Sequence, residues 1–383
     1  MIHPQLLNFL KLKADSHFKL PDYEPIVLTK HINATLVQCK IRGIITNNND
    51  KSFHFDRLAR VQPYPEKRKL ADNFPTNTSN IDILNKFENI FVFTDSYGDR
   101  NIWHWFVEMM PGILYLIDII KVIPDIKIII NKTPKDTMIS TIREFLYLIP
   151  GVTKDNIIEF EFKEDTGIYA DNLYIGFSQC HHHTIKNIWN LIYFKLGLSD
   201  KCNKLSENKK YSKKVYLSRR ATELAHKHNR KIVNIEKVSS IIREKGFIEV
   251  YPEKTDIIDK INIFNNADCV ITELGSGFIN LIHCKDGIDV ILIYQDHQED
   301  WIREWGPFIR SKKFNILKLS GKNVDNNCEK CQKNIRHHCL NFYKLDEEKL
   351  INFLDKQQVL KSEVVKNQLN GLDLNIGNTI LTF

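Results

Sequence analysis

The chain has no block of Lys and Arg interleaved with aromatics, and no clustered carboxylates of the kind a metal-dependent nuclease needs. A nucleic-acid enzyme is disfavoured on both grounds. No run is long and apolar enough to span a bilayer: the most apolar stretch, Ile113 to Ile130, is broken by Asp118, Lys121, Pro124, Asp125 and Lys127. The first residues, Met1 to Lys11, show no charged segment followed by a long apolar one, so no signal peptide is expected. No internal repeat is visible.

What is present describes a globular protein. With 383 residues, 43% of them hydrophobic, the chain can bury two cores, and two domains of ordinary size are expected. A net charge of +7 favours an anionic ligand and is too mild to argue for nucleic acid. Of the eight cysteines, Cys269 and Cys284 lie in apolar runs and read as inert core thiols. A reduced, cytoplasmic protein fits best.

Residues 1–80 hold short β-like runs (Pro25 to Leu28, Ala34 to Val37, Ile41 to Ile45) between polar turns. A strong strand, Ile90 to Thr94, leads through a turn into a long helix from Ile102 to Ile119. Strands follow at Lys127 to Ile130, Ile157 to Phe162 and Asn172 to Ile175, with helices over Asp136 to Leu148 and His183 to Leu196. From Leu198 to Lys214 the composition turns to Lys, Ser and Asn, which marks a join. Then strands (214–218, 247–251, 268–272, 289–293) alternate with helices (235–245, 255–265, 278–284). That alternation means a parallel sheet covered on both faces. The domains expected are 1–205, 206–345, and a C-terminal helix and tail over 346–383.

The segment Asp268 to Asn280 reads as a buried strand, a Gly275-Ser276-Gly277 turn and the start of a helix. Glycines let a backbone approach a ligand closely, and the first helix amides with the helix dipole suit a diphosphate. The alternative is an ordinary strand-to-helix connection. Arg219 and Arg220 follow a strand, where a guanidinium can fork onto phosphate; adjacent residues point to different sides, so one of the two is expected to do so. The alternative there is a solvated strand end. His104 and Glu108 are four apart on an aromatic helix. A Glu among Trp and Phe should have a raised pKa, which suits a general base. An ion pair on a solvated face, with Trp103 and Phe106 as core, is the alternative. Asn234 stands where it could cap the next helix.

Four blocks in this order resemble glycosyltransferase family 61. Asn101-Ile-Trp-His104-Trp-Phe-Val-Glu108 resembles the family's Asn-x-aromatic-His-x-x-x-Asp/Glu helix. Tyr216-Leu-Ser-Arg219 resembles its Tyr-x-Ser-Arg strand end. Arg230-Lys-Ile-Val-Asn234 resembles its Arg-x-Ile/Leu-x-Asn-Glu segment, with Ile235 in place of the acid. Gly275-Ser-Gly-Phe-Ile-Asn280 resembles its Gly-Ala/Ser-Gly-x-x-Asn turn, with Glu273-Leu274 where many relatives have His. The similarity runs from about residue 88 to 295.

The resemblance implies an α/β, GT-B-like enzyme, with two Rossmann-like domains facing a central cleft. It implies inverting, metal-independent transfer of a hexosyl or pentosyl group from a nucleotide sugar, a UDP-sugar being favoured, to a glycan hydroxyl in glycan or surface polysaccharide synthesis. Glu108 would be the base, and His104 would orient that carboxylate or the acceptor. Arg219, Arg220, Tyr251, Glu253, Glu273, Gly275, Ser276, Gly277 and Asn280 would bind the donor, and Asn101 and Trp105 would lie on the acceptor side. The acceptor would be a glycan, glycolipid or glycoprotein; the basic excursion at Lys201 to Lys214 is a candidate surface for peripheral membrane contact, with a solvated loop as the favoured reading. No cofactor is required. A catalytically inactive nucleotide-sugar or polysaccharide-binding relative is the alternative, against which the retained Glu108 speaks. Cys328, Cys331, His337 and Cys339 have the spacing of a zinc knuckle, with a reduced surface loop as the rival reading. Cys180 to His183 are consecutive, a poor arrangement for chelation in a strand.

Overall fold

The structure is a computed structural model. It describes residues 3–13, 16–19, 26–39, 42–47, 52–55, 81–93, 102–132, 136–161, 166–178, 185–198, 200, 202, 209–220, 231–295, 299–324 and 342–355. The chain divides into two compact units, Met1–Lys201 and Cys202–Phe383.

The first unit holds a mixed eight-stranded sheet, ordered β4-β3-β2-β8-β5-β6-β7, with β1 paired to β2. The strands are β1 (Ser16–Phe18), β2 (Ile26–Cys39), β3 (Arg42–Asn47), β4 (Ser52–Phe55), β5 (Asp82–Val92), β6 (Lys127–Asn131), β7 (Ile157–Phe160) and β8 (Thr166–Ser178). Helices α1 (Pro4–Leu10), α2 (Ile102–His104), α3 (Ile113–Ile119), α4 (Asp136–Tyr147) and α5 (Ile185–Leu196) accompany it. Only the β8-β5-β6-β7 half is parallel. β2 runs antiparallel to both β8 and β3. The sheet is thus mixed, parallel over one half and antiparallel over the other. Residues 26–28 and 34–37, from the two expected β-like runs, belong to the single strand β2, which continues through Asn33 at a φ of 49°. Asn tolerates that left-handed conformation better than most residues.

The second unit holds a seven-stranded sheet, ordered β10-β15-β14-β13-β12-β9-β11. Its strands are β9 (Lys214–Leu217), β10 (Lys231–Ile232), β11 (Ile248–Val250), β12 (Cys269–Glu273), β13 (Asp289–Gln295), β14 (Asn315–Asn323) and β15 (Phe342–Lys344). From β11 to β14 every pairing is parallel. β12 is buried along its whole length, as a central strand covered on both faces must be. Each of its Val and Ile side chains contributes about 1.5–3 kcal/mol by leaving water.

Helix α6 (Ile235–Glu244) buries Ile235, Val238, Ile241 and Ile242 on one stripe. It stops at Gly246, whose φ of 82° suits glycine. α7 (Ile257–Asn266) is capped by Asp256, which accepts from the Asp259 amide. α8 (Glu299–Ser311) follows β13, and a further helix over 347–355 buries Leu350, Phe353 and Leu354 in the same core.

Candidate functional site

In chain order the parallel strands of the second unit run β9, β11, β12, β13, β14, and in space β11-β9-β12-β13-β14. After β11 the chain crosses to the other side of β9 to lay down β12. Open α/β sheets bind ligands outside the carboxyl ends of the strands at such a reversal. Here those ends carry Arg219, just beyond β9, and the glycine turn, just beyond β12.

Arg219 and the turn are fitted to each other. Arg219 Nη1 donates to the Leu274 carbonyl at 3.4 Å. A Cβ on Gly275 would stand 2.8 Å from that Nη1 and 3.3 Å from Cζ. Gly275 has φ 169° and ψ 178°, extended backbone open to any residue, so the only thing a side chain would displace there among the described residues is the tip of Arg219. At Gly277 a Cβ would meet no atom of the described residues within 4 Å.

The helix after the turn is a 3₁₀ helix, Ser276–His283, and not the α-helix expected over 278–284. Its first bond runs from the Phe278 amide to the Gly275 carbonyl at 2.9 Å, so the Ser276 and Gly277 amides precede the ladder. From Phe278 onward the helix is buried: Phe278 stacks on Trp305 at 4.8 Å, and Ile279, Leu281 and Ile282 are all inside. Asn280 is also buried, and its Nδ2 donates back to the Gly277 carbonyl at 2.7 Å. It shapes the turn.

Arg220 leaves in another direction, as neighbouring residues should. It pairs with Glu236. Beside it, Arg243 pairs with Glu249 at 2.8 Å, and Ser239 Oγ donates to Glu249 at 3.4 Å. The Tyr251 hydroxyl joins this group: burial, and then its hydrogen bond to Glu249, push its pKa up. Glu253 lies in the 3₁₀ turn Pro252–Lys254, and its Oε1 is buried with no hydrogen-bond partner among the described residues. Glu273 ends β12 at 2% exposure, turned inward between two tyrosine hydroxyls. Asn234 stands at the head of α6 without capping it. Its side chain instead bonds both the amide and the carbonyl of Leu345. Arg230 lies outside the described residues.

In the first unit the expected helix from 102 to 119 changes its winding three times. α2 gives way to a π segment, Trp105–Met109, then to a 3₁₀ turn, Met110–Gly112, and then to α3. His104 ends the first piece, and Glu108 lies inside the π segment; of these two the structure describes the backbone alone. π segments are rare, and they concentrate at functional sites. Trp105, expected on the acceptor side, is fully buried. Its indole packs edge-on to Phe93 at 5.5 Å and to Phe106 at 5.3 Å, and its Nε1 is buried with no hydrogen-bond partner among the described residues. Trp103 and Phe106 are core as well. Asn101 lies outside the described residues.

One contact in this unit escaped the sequence reading. A Cβ on Gly112 would stand 2.2 Å from the Gly176 carbonyl oxygen, and one on Gly176 would stand 2.8 Å from Gly112 Cα. The backbone after the π segment thus rests directly on the backbone of β8. An isolated glycine inside a strand was the available signal, because it often marks such an approach.

Among the described residues no group of three His, Cys, Asp or Glu could hold a metal ion. Cys328, Cys331, His337 and Cys339 lie outside them, as do Cys180 to His183. Cys202, Cys269 and Cys284 are buried free thiols. No helix among the described residues is long and apolar enough to cross a membrane.

The family model described as Glycosyltransferase 61 matches residues 102–291. That span begins with α2, takes in the π segment, Arg219 and the glycine turn, and ends within β13. No curated protein matches the chain.

Proposed function

From the premise that the chain belongs to glycosyltransferase family 61, we propose that it is an inverting, metal-independent enzyme using a nucleoside-diphosphate sugar, with UDP as the favoured nucleotide. The second unit is its donor unit and the first its acceptor unit, in the GT-B manner. The acceptor is a hydroxyl of a glycan, glycolipid or glycoprotein in the cytoplasm, and the product a glycan such as a surface polysaccharide.

In the proposed reaction Glu108 takes the proton of the acceptor hydroxyl. The oxygen attacks the anomeric carbon opposite the bond to the diphosphate. A new C–O bond forms, and the old one breaks with its electron pair on phosphate. Charge therefore builds on the leaving diphosphate. Arg219 and the Ser276 and Gly277 amides would meet that charge with fixed donors, the role a divalent cation plays elsewhere. One observation carries this reading: Arg219 and Gly275 interlock where the strand order reverses.

Calorimetry with UDP, GDP, CMP and ADP, in Mg²⁺ and in EDTA, tests it. One nucleotide should bind, equally in both buffers. Charge-assisted bonds of ~1.5–3 kcal/mol set the loss in Arg219→Ala at roughly 10–150-fold. Binding of no nucleotide would overturn the donor assignment, and binding that requires Mg²⁺ would overturn metal independence. Turnover that survives Glu108→Gln would remove the base.

A further inference from the structure

Beneath the glycine turn, inside the sheet, a carboxylate meets two phenols. Glu273 falls on the same face of β12 as Cys269 and Ile271, two positions apart each time, and those two belong to the core of the second unit. The pattern asks for an apolar residue there. Instead Tyr216 Oη donates to Glu273 Oε1 at 3.4 Å, and Tyr343 Oη donates to Oε2 at 3.4 Å. Tyr216 is fully buried and Tyr343 nearly so.

The phenols come from β9 and β15, far apart in sequence. Space for the second is made on β14, where a Cβ on Gly321 would stand 2.3 Å from Tyr343 Cδ2. Burial first, and then the Glu273 charge, push the Tyr216 pKa well up, so its hydroxyl stays a donor.

Both halves of the proposed diphosphate site hang from this cluster. Glu273 is joined to Leu274, whose carbonyl accepts from Arg219 and whose amide donates to Ile293 at 2.7 Å. Tyr216 precedes Arg219 by three residues on the same strand end. We infer that Glu273, Tyr216 and Tyr343 are positioning residues, which hold the Leu274–Gly275 backbone in register with Arg219 and so set the affinity for a nucleoside diphosphate from within the sheet. The inference rests on the proposed function; the three side chains act through the turn and touch no ligand.

The test pairs a double variant, Tyr216→Phe with Tyr343→Phe, against Glu273→Gln. The first keeps both rings and loses both hydroxyls; the second keeps a side chain that can bond both. Three quantities are measured well below the melting temperature: the Kd of the nucleotide found by calorimetry, amide hydrogen exchange at 274–278 without nucleotide, and Tm. In the double variant Kd and turn exchange should each rise about tenfold, the loss expected for hydrogen bonds of this kind. Glu273→Gln should stay within about threefold of wild type, since an amide can still pair with both phenols. A purely structural role would lower Tm and leave Kd and turn exchange unchanged, and that result overturns the inference. If wild type binds no nucleotide, the proposed function fails, and exchange at the turn decides this inference by itself. If the double variant does not fold, Tyr343→Phe alone is read by the same criteria.

Discussion

Replacing Gly112 by alanine should damage stability and activity together, by amounts the geometry sets. The added Cβ would lie 2.2 Å from the Gly176 oxygen and 2.6 Å from its carbonyl carbon. Carbon and oxygen settle no closer than about 3.3 Å, so roughly 1 Å must open between the two backbones. β8 is paired on one side to β2 and on the other to β5. It has little freedom to retreat, so the 3₁₀ turn must move, and with it the π segment that carries Glu108. Overpacking of this kind costs about 1–3 kcal/mol, and a backbone clash belongs at the top of that range. At about 2–4 °C per kcal/mol for a unit of this size, Gly112→Ala should lower Tm by roughly 6–12 °C. A misplacement near 1 Å at a reacting group can reduce kcat about 100-fold. The reciprocal change, Gly176→Ala, meets Gly112 Cα at 2.8 Å and Phe91 Cζ at 3.2 Å. It should be the milder of the two. Scanning calorimetry gives the Tm values, and turnover of the nucleotide sugar, measured at least 20 °C below the lower Tm, gives the kcat values (a margin that keeps the population unfolded small). A Gly112→Ala protein with wild-type Tm and kcat would refute the reasoning. So would a Gly176→Ala protein that is worse than Gly112→Ala.

Gly275→Ala should separate binding from folding: the backbone there is extended, and the atom in the way is the tip of a flexible Arg219. Its Tm should match wild type while nucleotide affinity falls about tenfold, or ~1.4 kcal/mol; unchanged affinity would show that Arg219 need not sit against the turn. His283 is buried, and its burial, with Lys260 and Lys312 nearby, holds its pKa well below the ordinary 6.5. As pH falls through 6.5 the unfolded chain takes up a proton that the folded chain refuses. Stability is therefore lost on the acid side, at a slope approaching about 1.4 kcal/mol per pH unit. His283→Leu should flatten the fall of the urea midpoint below pH 6.5, and an unaltered slope would assign that fall to other groups.

The parts of this fold that the sequence announced are those governed by neighbours along the chain. Alternation of apolar runs marked β9, β11, β12 and β13, and Gly246 marked the end of α6 because one residue's φ is a local matter. The glycine turn and the divergence of Arg219 from Arg220 were legible for the same reason. What stayed hidden depends on distant partners. The carboxylate of Glu273 read as a donor contact because its sequence neighbours are the turn; the phenols that draw it inward sit at 216 and 343. Trp105 read as an acceptor-side aromatic, and Phe145, from another helix, completes the aromatic cluster that buries it. No pattern of period 3.6 distinguishes a π turn from an α turn over five residues. The antiparallel pairing of β2 with β8 joins residues 130 or more positions apart, beyond the reach of any window.

The interior place of β9 has a consequence for how the protein is made. β9 is the first strand of its sheet to be synthesised, yet its two neighbours come later, β11 ending at Val250 and β12 at Glu273. While the ribosome adds the residues between 217 and 273, at about 5–20 per second, β9 waits roughly 3–11 s for its second partner. For that interval a strand of buried Val215, Tyr216 and Leu217 offers an unpaired edge to any other chain nearby. The strand crossing at which we propose the donor binds thus exposes the nascent chain to aggregation and to chaperones, in the seconds before Gly275 exists to receive Arg219.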